Sequence, residues 1–175
     1  MRWLRLIYAL LSARFRRGLS INEESRISFT VWLTDIDASV MNHAAMMTVM
    51  EMGRIDFMVR SGFFKLARTR KWYFPSRSIS VQFIRPLKLF QKATLTTRIF
   101  HVDNQWIYTE QKIVRHDKLI ATCIVKSTVK KGRETVPTSE IARTLELGEM
   151  PKEGREVVEA IEQENNLARQ RLSAE

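Results

Sequence analysis

The sequence predicts an α+β domain in which a long central helix is wrapped by a curved antiparallel sheet of about five strands. Three observations carry this. Ile27, Phe29, Val31 and Leu33 alternate with more polar neighbours, the period-two signature of a half-buried strand. After a polar turn, residues 45–61 place Met46, Val49, Met50, Gly53 and Phe57 at helical spacing, which makes one apolar stripe. Four further strand-like segments follow, at 77–85, 93–102, 105–115 and 118–129. An amphipathic helix and a one-sided sheet must cover each other's apolar surface.

Composition narrows the class. A chain of 175 residues with 45% hydrophobic content predicts one globular domain. The single cysteine, Cys123, excludes an internal disulfide framework and a cysteine-based zinc site. It falls inside an apparent strand and reads as a buried, inert thiol. The three histidines show no ligand spacing, so no metal and no cofactor are expected. The net charge of +10 is uneven, because residues 139–175 carry five Lys/Arg against nine Asp/Glu. The rest of the chain is therefore strongly basic. That suggests an anionic partner, whether a phosphate-bearing ligand, a membrane surface or nucleic acid. With no RNA-reading aromatic motif, helix-turn-helix signal or zinc finger, nucleic acid is not expected.

Three regions follow. Residues 1–20 are a basic amphipathic segment, 21–136 the main domain, and 137–175 an acidic, mostly helical tail. The apolar run 6–11 is far too short to cross a bilayer, which takes roughly 20 residues. Arg14, Arg16 and Arg17 follow it where a signal peptide would have a cleavage site of small residues. A cytoplasmic protein is therefore expected. The segment fits a helix with Trp3, Ile7, Leu10 and Leu11 on one side, ended by Gly18. Such a helix suits peripheral contact of residues 1–17 with an anionic membrane, or packing on its own domain or a partner subunit. In the tail, Pro151 breaks the helical pattern and residues 156–172 read as a peripheral helix.

Taken in order, residues 26–33 form the first strand. The turn that follows holds Asp35 and Asp37. Two carboxylates just before a helix can share a small volume with the unpaired N–H groups of its first turn. Asp35 reads as the residue that fixes the turn, and Asn42 as the helix N-cap. Glu51 and Arg54 are spaced for a helical ion pair; alternatively Glu51 faces a pocket. Gly53 inside a helix is unfavourable by about 1 kcal/mol relative to Ala, which points to close approach of the sheet. Gly62 reads as a C-cap and residues 63–76 as a mixed, basic connection. The breaks at Val102-Asp103-Asn104 and His116-Asp117 are short enough for hairpins. Trp106 and Tyr108 read as core or interface packing. The Trp72-Tyr73-Phe74-Pro75 cluster reads as a pocket mouth or a subunit contact.

Asp35-Ile-Asp37-Ala, Met41-Asn42-His43-Ala44, Met50-Glu51-Met-Gly-Arg54-Ile-Asp56, Phe83-Ile-Arg-Pro-Leu87 and Trp106-Ile-Tyr-Thr-Glu110 occur in that order. This series resembles the hotdog-fold thioesterases, in the branch related to 4-hydroxybenzoyl-CoA thioesterase and the thioesterase-superfamily-member-6 proteins, over roughly residues 25–135. The resemblance implies a hotdog fold, assembly as a homodimer or tetramer, and active sites at the dimer interface. It implies hydrolysis of an acyl-CoA or acyl-carrier thioester. Asp37 would be the catalytic carboxylate, either a general base on water or a direct nucleophile. The backbone N–H near His43 would polarise the thioester carbonyl. Asn42 would support that site, with Glu51 a secondary candidate. Arg68, Arg70 and Lys71, with Lys130, Lys131 and Arg133, would meet the phosphates of coenzyme A. Val40 stands where many relatives have histidine, and His43 replaces a second asparagine. With the amphipathic start, these departures favour an alternative, a non-catalytic acyl-thioester or lipid-binding protein at a membrane surface.

Overall fold

The computed structural model describes residues 2–148 and 152–172. Pro151, expected to break the tail, lies outside them, and the Trp3 side chain is not among those described. The chain runs α1 (Arg2–Phe15), β1 (Ser25–Thr30), a 3-10 turn (Leu33–Asp35), β2 (Ile36–Asp37), β3 (Val40–Met41), α2 (His43–Arg60) and α3 (Phe63–Arg70). It continues through β4 (Trp72–Tyr73), β5 (Ser76–Phe83), β6 (Lys92–Val102), β7 (Ile107–Arg115) and β8 (Lys118–Ser127). It closes with β9 (Lys130–Lys131), β10 (Glu134–Thr135), α4 (Thr138–Leu145) and α5 (Lys152–Leu172).

The main sheet has five strands in the order β1-β6-β7-β8-β5, each pair antiparallel. The long α2 lies on one face of it, the hotdog arrangement. Met46, Val49 and Met50 of α2 share one buried cluster with Ile27, Leu95, Ile113, Ala121 and Cys123 of the strands. Burial pushes the Cys123 thiol up to about 11, against a small opposing pull from Arg54. Gly53 is where helix and sheet come closest. A methyl group there would strike the Leu95 side chain and lie 2.9 Å from Thr97 Oγ1. Fully buried Gln111 spans the contact. Its amide donates to the Met50 carbonyl at 2.8 Å and to Thr97 Oγ1 at 3.0 Å, and its oxygen accepts from Arg54 at 2.8 Å. Burial lowers the Arg54 pKa, opposed in part by Cys123 and Glu51.

The first strand is shorter than its alternation suggests. It ends at Thr30, and Val31 departs to exchange backbone hydrogen bonds with Phe90 and Gln91. Buried Asp35 accepts the Trp32 N–H at 2.9 Å. That bond diverts the backbone from the sheet ladder into the 3-10 turn and leaves Trp32 and Leu33 exposed.

Residues 63–76 also need correction, since α3 and β4 occupy much of that connection. Gly62, at φ 74°, ends one helix and reverses the chain into the next. Phe63 and Ala67, four apart, are the buried face of α3.

The terminal helix is more than a peripheral appendage. A register shift between Ile99 and His101 brings Phe100 into a small cluster with Tyr108 and Val158 of α5. Gly154 lets α5 sit on the Phe100 carbonyl, which a Cβ would approach to 2.6 Å. Lys126 bonds Glu162 at 2.7 Å and lies 4.6 Å from the Trp106 ring centroid. Trp106 and Tyr108 are therefore packing residues under α5. Among the described residues no helix is long and apolar enough to cross a membrane.

Gly53→Ala gains helix propensity of about 1 kcal/mol but overpacks a filled contact, which costs about 1–3 kcal/mol. The expected outcome is net destabilisation, read as a lower urea midpoint with helix content retained.

Candidate functional site

The site is built where the two-residue ladder of β2 and β3 hands the chain to α2. Ile36 pairs with Met41 and Asp37 with Val40. Ala38 turns the chain with φ 56°, a left-handed conformation unfavourable for a non-glycine residue. The ladder is tied to the segment after β5, with Met41 N–H donating to the Leu87 carbonyl at 2.7 Å. Leu87 is fully buried, and Ile84 and Arg85 both donate backbone N–H groups to the Ile120 carbonyl. The Phe83-Ile-Arg-Pro-Leu87 stretch therefore acts as a buttress for the turn.

Asp35 and Asn42 lock the turn to the helix. The Asp35 carbonyl accepts the Asn42 N–H at 2.8 Å, and Asn42 Oδ1 caps α2 by accepting the Ala45 N–H at 2.7 Å. The amide of the same Asn42 reaches Asp37 Oδ1 at 3.4 Å. One side chain thus joins the Asp37 carboxylate to the helix N-terminus. Met46 N–H closes on the Asn42 carbonyl. The N–H groups of His43 and Ala44 find no partner among the described residues, so they stay available to an acceptor. Asp37 is solvent-exposed. The His43 ring is exposed and stacks on Phe83, with centroids 4.2 Å apart. This contact was invisible in the sequence, where Phe83 stood out only as the start of the Phe83-Ile-Arg-Pro-Leu87 stretch, far from His43.

Glu51 stands eight residues further along α2, about 12 Å up the axis from His43, and is half-buried. Arg54 bonds Gln111 and feels Glu51 only as a nearby charge. The two basic groups do come together. β9 pairs with β4, setting Lys131 opposite Trp72 and Lys130 opposite Tyr73, and Tyr73 Oη donates to the Gly132 carbonyl. Arg70 is partly committed, bonding Glu140 at 3.1 Å and lying over the Trp72 ring. Within the chain this basic region follows the C-terminal end of α2. It is separated from Asp37 by the helix length, about 27 Å. Near it, Phe57, Phe63, Phe74, Ile99 and Ile107 line a cavity of about 100 Å³ with Arg54 in its wall. Among the described residues no group of three His, Cys, Asp or Glu side chains is placed to hold a metal ion.

The sequence reading named Asp56 in a motif but assigned it no role. It is 2% exposed on α2 and accepts from Ser25 Oγ at 2.5 Å, Arg60 at 3.1 Å and Arg16 at 3.3 Å. A carboxylate recurring on the apolar side of a helix was the available signal.

Residues 31–151 match the family model of the thioesterase-like superfamily. No curated protein matches the chain. A structure described as a probable thioesterase from Bartonella henselae is 26% identical, with TM-score 0.57, over 66% of this chain and 97% of that one. A 1,4-dihydroxy-2-naphthoyl-CoA thioesterase from Synechocystis is 12% identical, with TM-score 0.59, over 70% and 95%. A Staphylococcus aureus protein solved in complex with CoA is 16% identical, with TM-score 0.57, over 77% and 94%. The last two likenesses are of fold.

Two outcomes test the local structure. Asn42→Ala removes the cap and should destabilise the protein by about 1 kcal/mol, measured by chemical denaturation. Cys123 should resist iodoacetamide in the native protein at mildly alkaline pH and react once unfolded, because burial disfavours its thiolate. Intact mass spectrometry reads both states.

Proposed function

The chain belongs to the thioesterase-like superfamily, and we propose that it hydrolyses acyl-CoA-type thioesters with Asp37 carrying the reaction. The observation behind this is the Asn42 bridge, which holds an exposed carboxylate beside a helix N-terminus with two unpaired N–H groups. The thioester carbonyl oxygen sits against the N–H groups of His43 and Ala44. Asp37 takes a proton from water as the water oxygen bonds to the carbonyl carbon. The negative charge that develops on the carbonyl oxygen is stabilised by those N–H groups and by the positive end of the helix dipole. Collapse breaks the carbon–sulfur bond, and the proton held by Asp37 passes to the departing thiolate. The products are a carboxylic acid and a free thiol. In the nucleophilic variant, Asp37 oxygen displaces the thiolate itself and water then opens the mixed anhydride. The His43 side chain, stacked on Phe83, is left to shape the site.

The CoA part of the reading rests on the relatives, of which one acts on a CoA thioester and another holds CoA. The basic groups of α3 and of the β9–β10 turn fit its phosphates. Their distance from Asp37 within a protomer is resolved by a homodimer, which in turn can pair into a tetramer. β5 is an edge strand with Ile79 and Phe83 exposed, bonded on one side only, and such an edge is a template for pairing. Two β5 strands joined antiparallel set the Phe83 end of one beside the Ser76 end of the other. The α2 N-terminus of one protomer then approaches the basic region of its partner.

A non-catalytic acyl-thioester or lipid-binding protein is the second reading. It is favoured by Val40, which places no imidazole beside Asp37.

Thiol release from short, long and aromatic acyl-CoAs tests both. Asp37→Asn should keep the fold, since the side chain is exposed, and lower kcat by roughly 10²–10⁴-fold. Equal turnover in wild type and variant removes Asp37 from the chemistry. Binding of acyl-CoA with no wild-type turnover favours the second reading.

A further inference from the structure

α1 is docked in the opposite sense to an ordinary surface helix. An amphipathic helix lying on its own domain turns its apolar stripe inward. Among the described side chains the inward side is Ala13, 1% exposed, followed just past the helix end by Arg16, which reaches buried Asp56. On the opposite side of the helix, Ile7, Tyr8, Leu11 and Phe15 fall on one face at 3.6 residues per turn. They are 51%, 66%, 53% and 89% exposed. The apolar stripe points into solvent although the helix is packed.

α3 extends the same surface. Arg14, Arg16, Phe64, Lys65 and Arg68 line one groove of about 570 Å³ between α1, the end of α2 and α3. Phe64 is itself 48% exposed. Residues 2–17 hold five arginines and residues 60–71 five Lys/Arg, with no acidic residue in either stretch. Asp56 engages Arg16 and Arg60, and Glu140 engages Arg70. Arg14, Arg17, Lys65 and Arg68 have no ionic partner among the described residues.

We propose that this α1–α3 face docks the protein on an anionic lipid bilayer. Ile7, Tyr8, Leu11, Phe15 and Phe64 enter the headgroup–acyl boundary, and the unpaired Arg14, Arg17 and Lys65 meet lipid phosphates. Charge complementarity selects this occupant. A second copy would set one acid-free basic face against another, and like charges at a contact repel. A bilayer with anionic headgroups supplies both counter-charge and an apolar phase. The proposal is independent of what the α2 N-terminus does.

The test is cosedimentation of the full chain with vesicles of phosphatidylcholine alone and of phosphatidylcholine mixed with phosphatidylserine. Binding should require phosphatidylserine and weaken with added salt. The double variant Leu11→Asp, Phe15→Asp should lower the partition coefficient by about tenfold or more, as should Arg14→Glu with Lys65→Glu. Lys118→Glu, an exposed charge change at the start of β8, should leave it unaltered. Circular dichroism should show wild-type helix content throughout. Unchanged partitioning of both double variants overturns the proposal. So does an equal loss in Lys118→Glu, which would mean diffuse charge. An oligomer that dissociates in Leu11→Asp, Phe15→Asp without lipid also overturns it, by making the face a self-contact.

Discussion

The contact on which the structure depends is the seating of α2 on the sheet at Gly53. Without a side chain there, the helix backbone comes close enough for Gln111, projecting from β7, to bond the Met50 carbonyl. A buried amide is tolerated only when its hydrogen-bonding groups are used. Gln111 achieves this by bonding to Thr97, Met50 and Arg54 together. The arrangement fixes the height of the helix over the strands. Asp56, one turn further on, adds ties to β1 and α1 through Ser25 and Arg16.

That seating also decides where the helix N-terminus lies, and the turn before it exploits the position. Asp35 and Asp37 are only two residues apart but have opposite fates. Asp35 is buried and committed to the Trp32 backbone N–H, and Asp37 is left at the surface with one long contact from Asn42. The division follows from the hairpin. Asp35 closes the 3-10 turn, where its side chain folds back on the Trp32 N–H, whereas Asp37 ends the two-residue ladder at the exposed left-handed turn of Ala38. Reactive groups sit on a loop because the rigid elements beside it hold it in place.

Two helices are laid over this core on different principles. α5 is mostly polar and, among the described residues, makes close contacts at Gly154, Val158 and Glu162. α1 is rich in large apolar residues, yet among its described side chains Ala13 faces the domain, Arg16 just beyond it pairs with Asp56, and Ile7, Tyr8, Leu11 and Phe15 are left in solvent. In neither case does composition indicate which side meets the protein.

The sequence alone determined the layer plan. Period-two and helical spacing are local properties, imposed by backbone geometry on any residue that must reach a core. The strand, the long helix and the four later strands could therefore be read directly. The helix cap at Asn42 was equally legible, since capping acts over three residues. Tertiary structure decided what depended on distant partners. The early end of β1 came from Asp35 competing for a backbone donor. The stacking of His43 on Phe83, the meeting of the two basic groups through β4 and β9, and the Asp56 cluster join residues far apart in the chain. So does the outward face of α1, because the side a helix buries is set by what waits beneath it. Here buried Asp56 draws in Arg16, while Ile7, Tyr8, Leu11 and Phe15 stay outward.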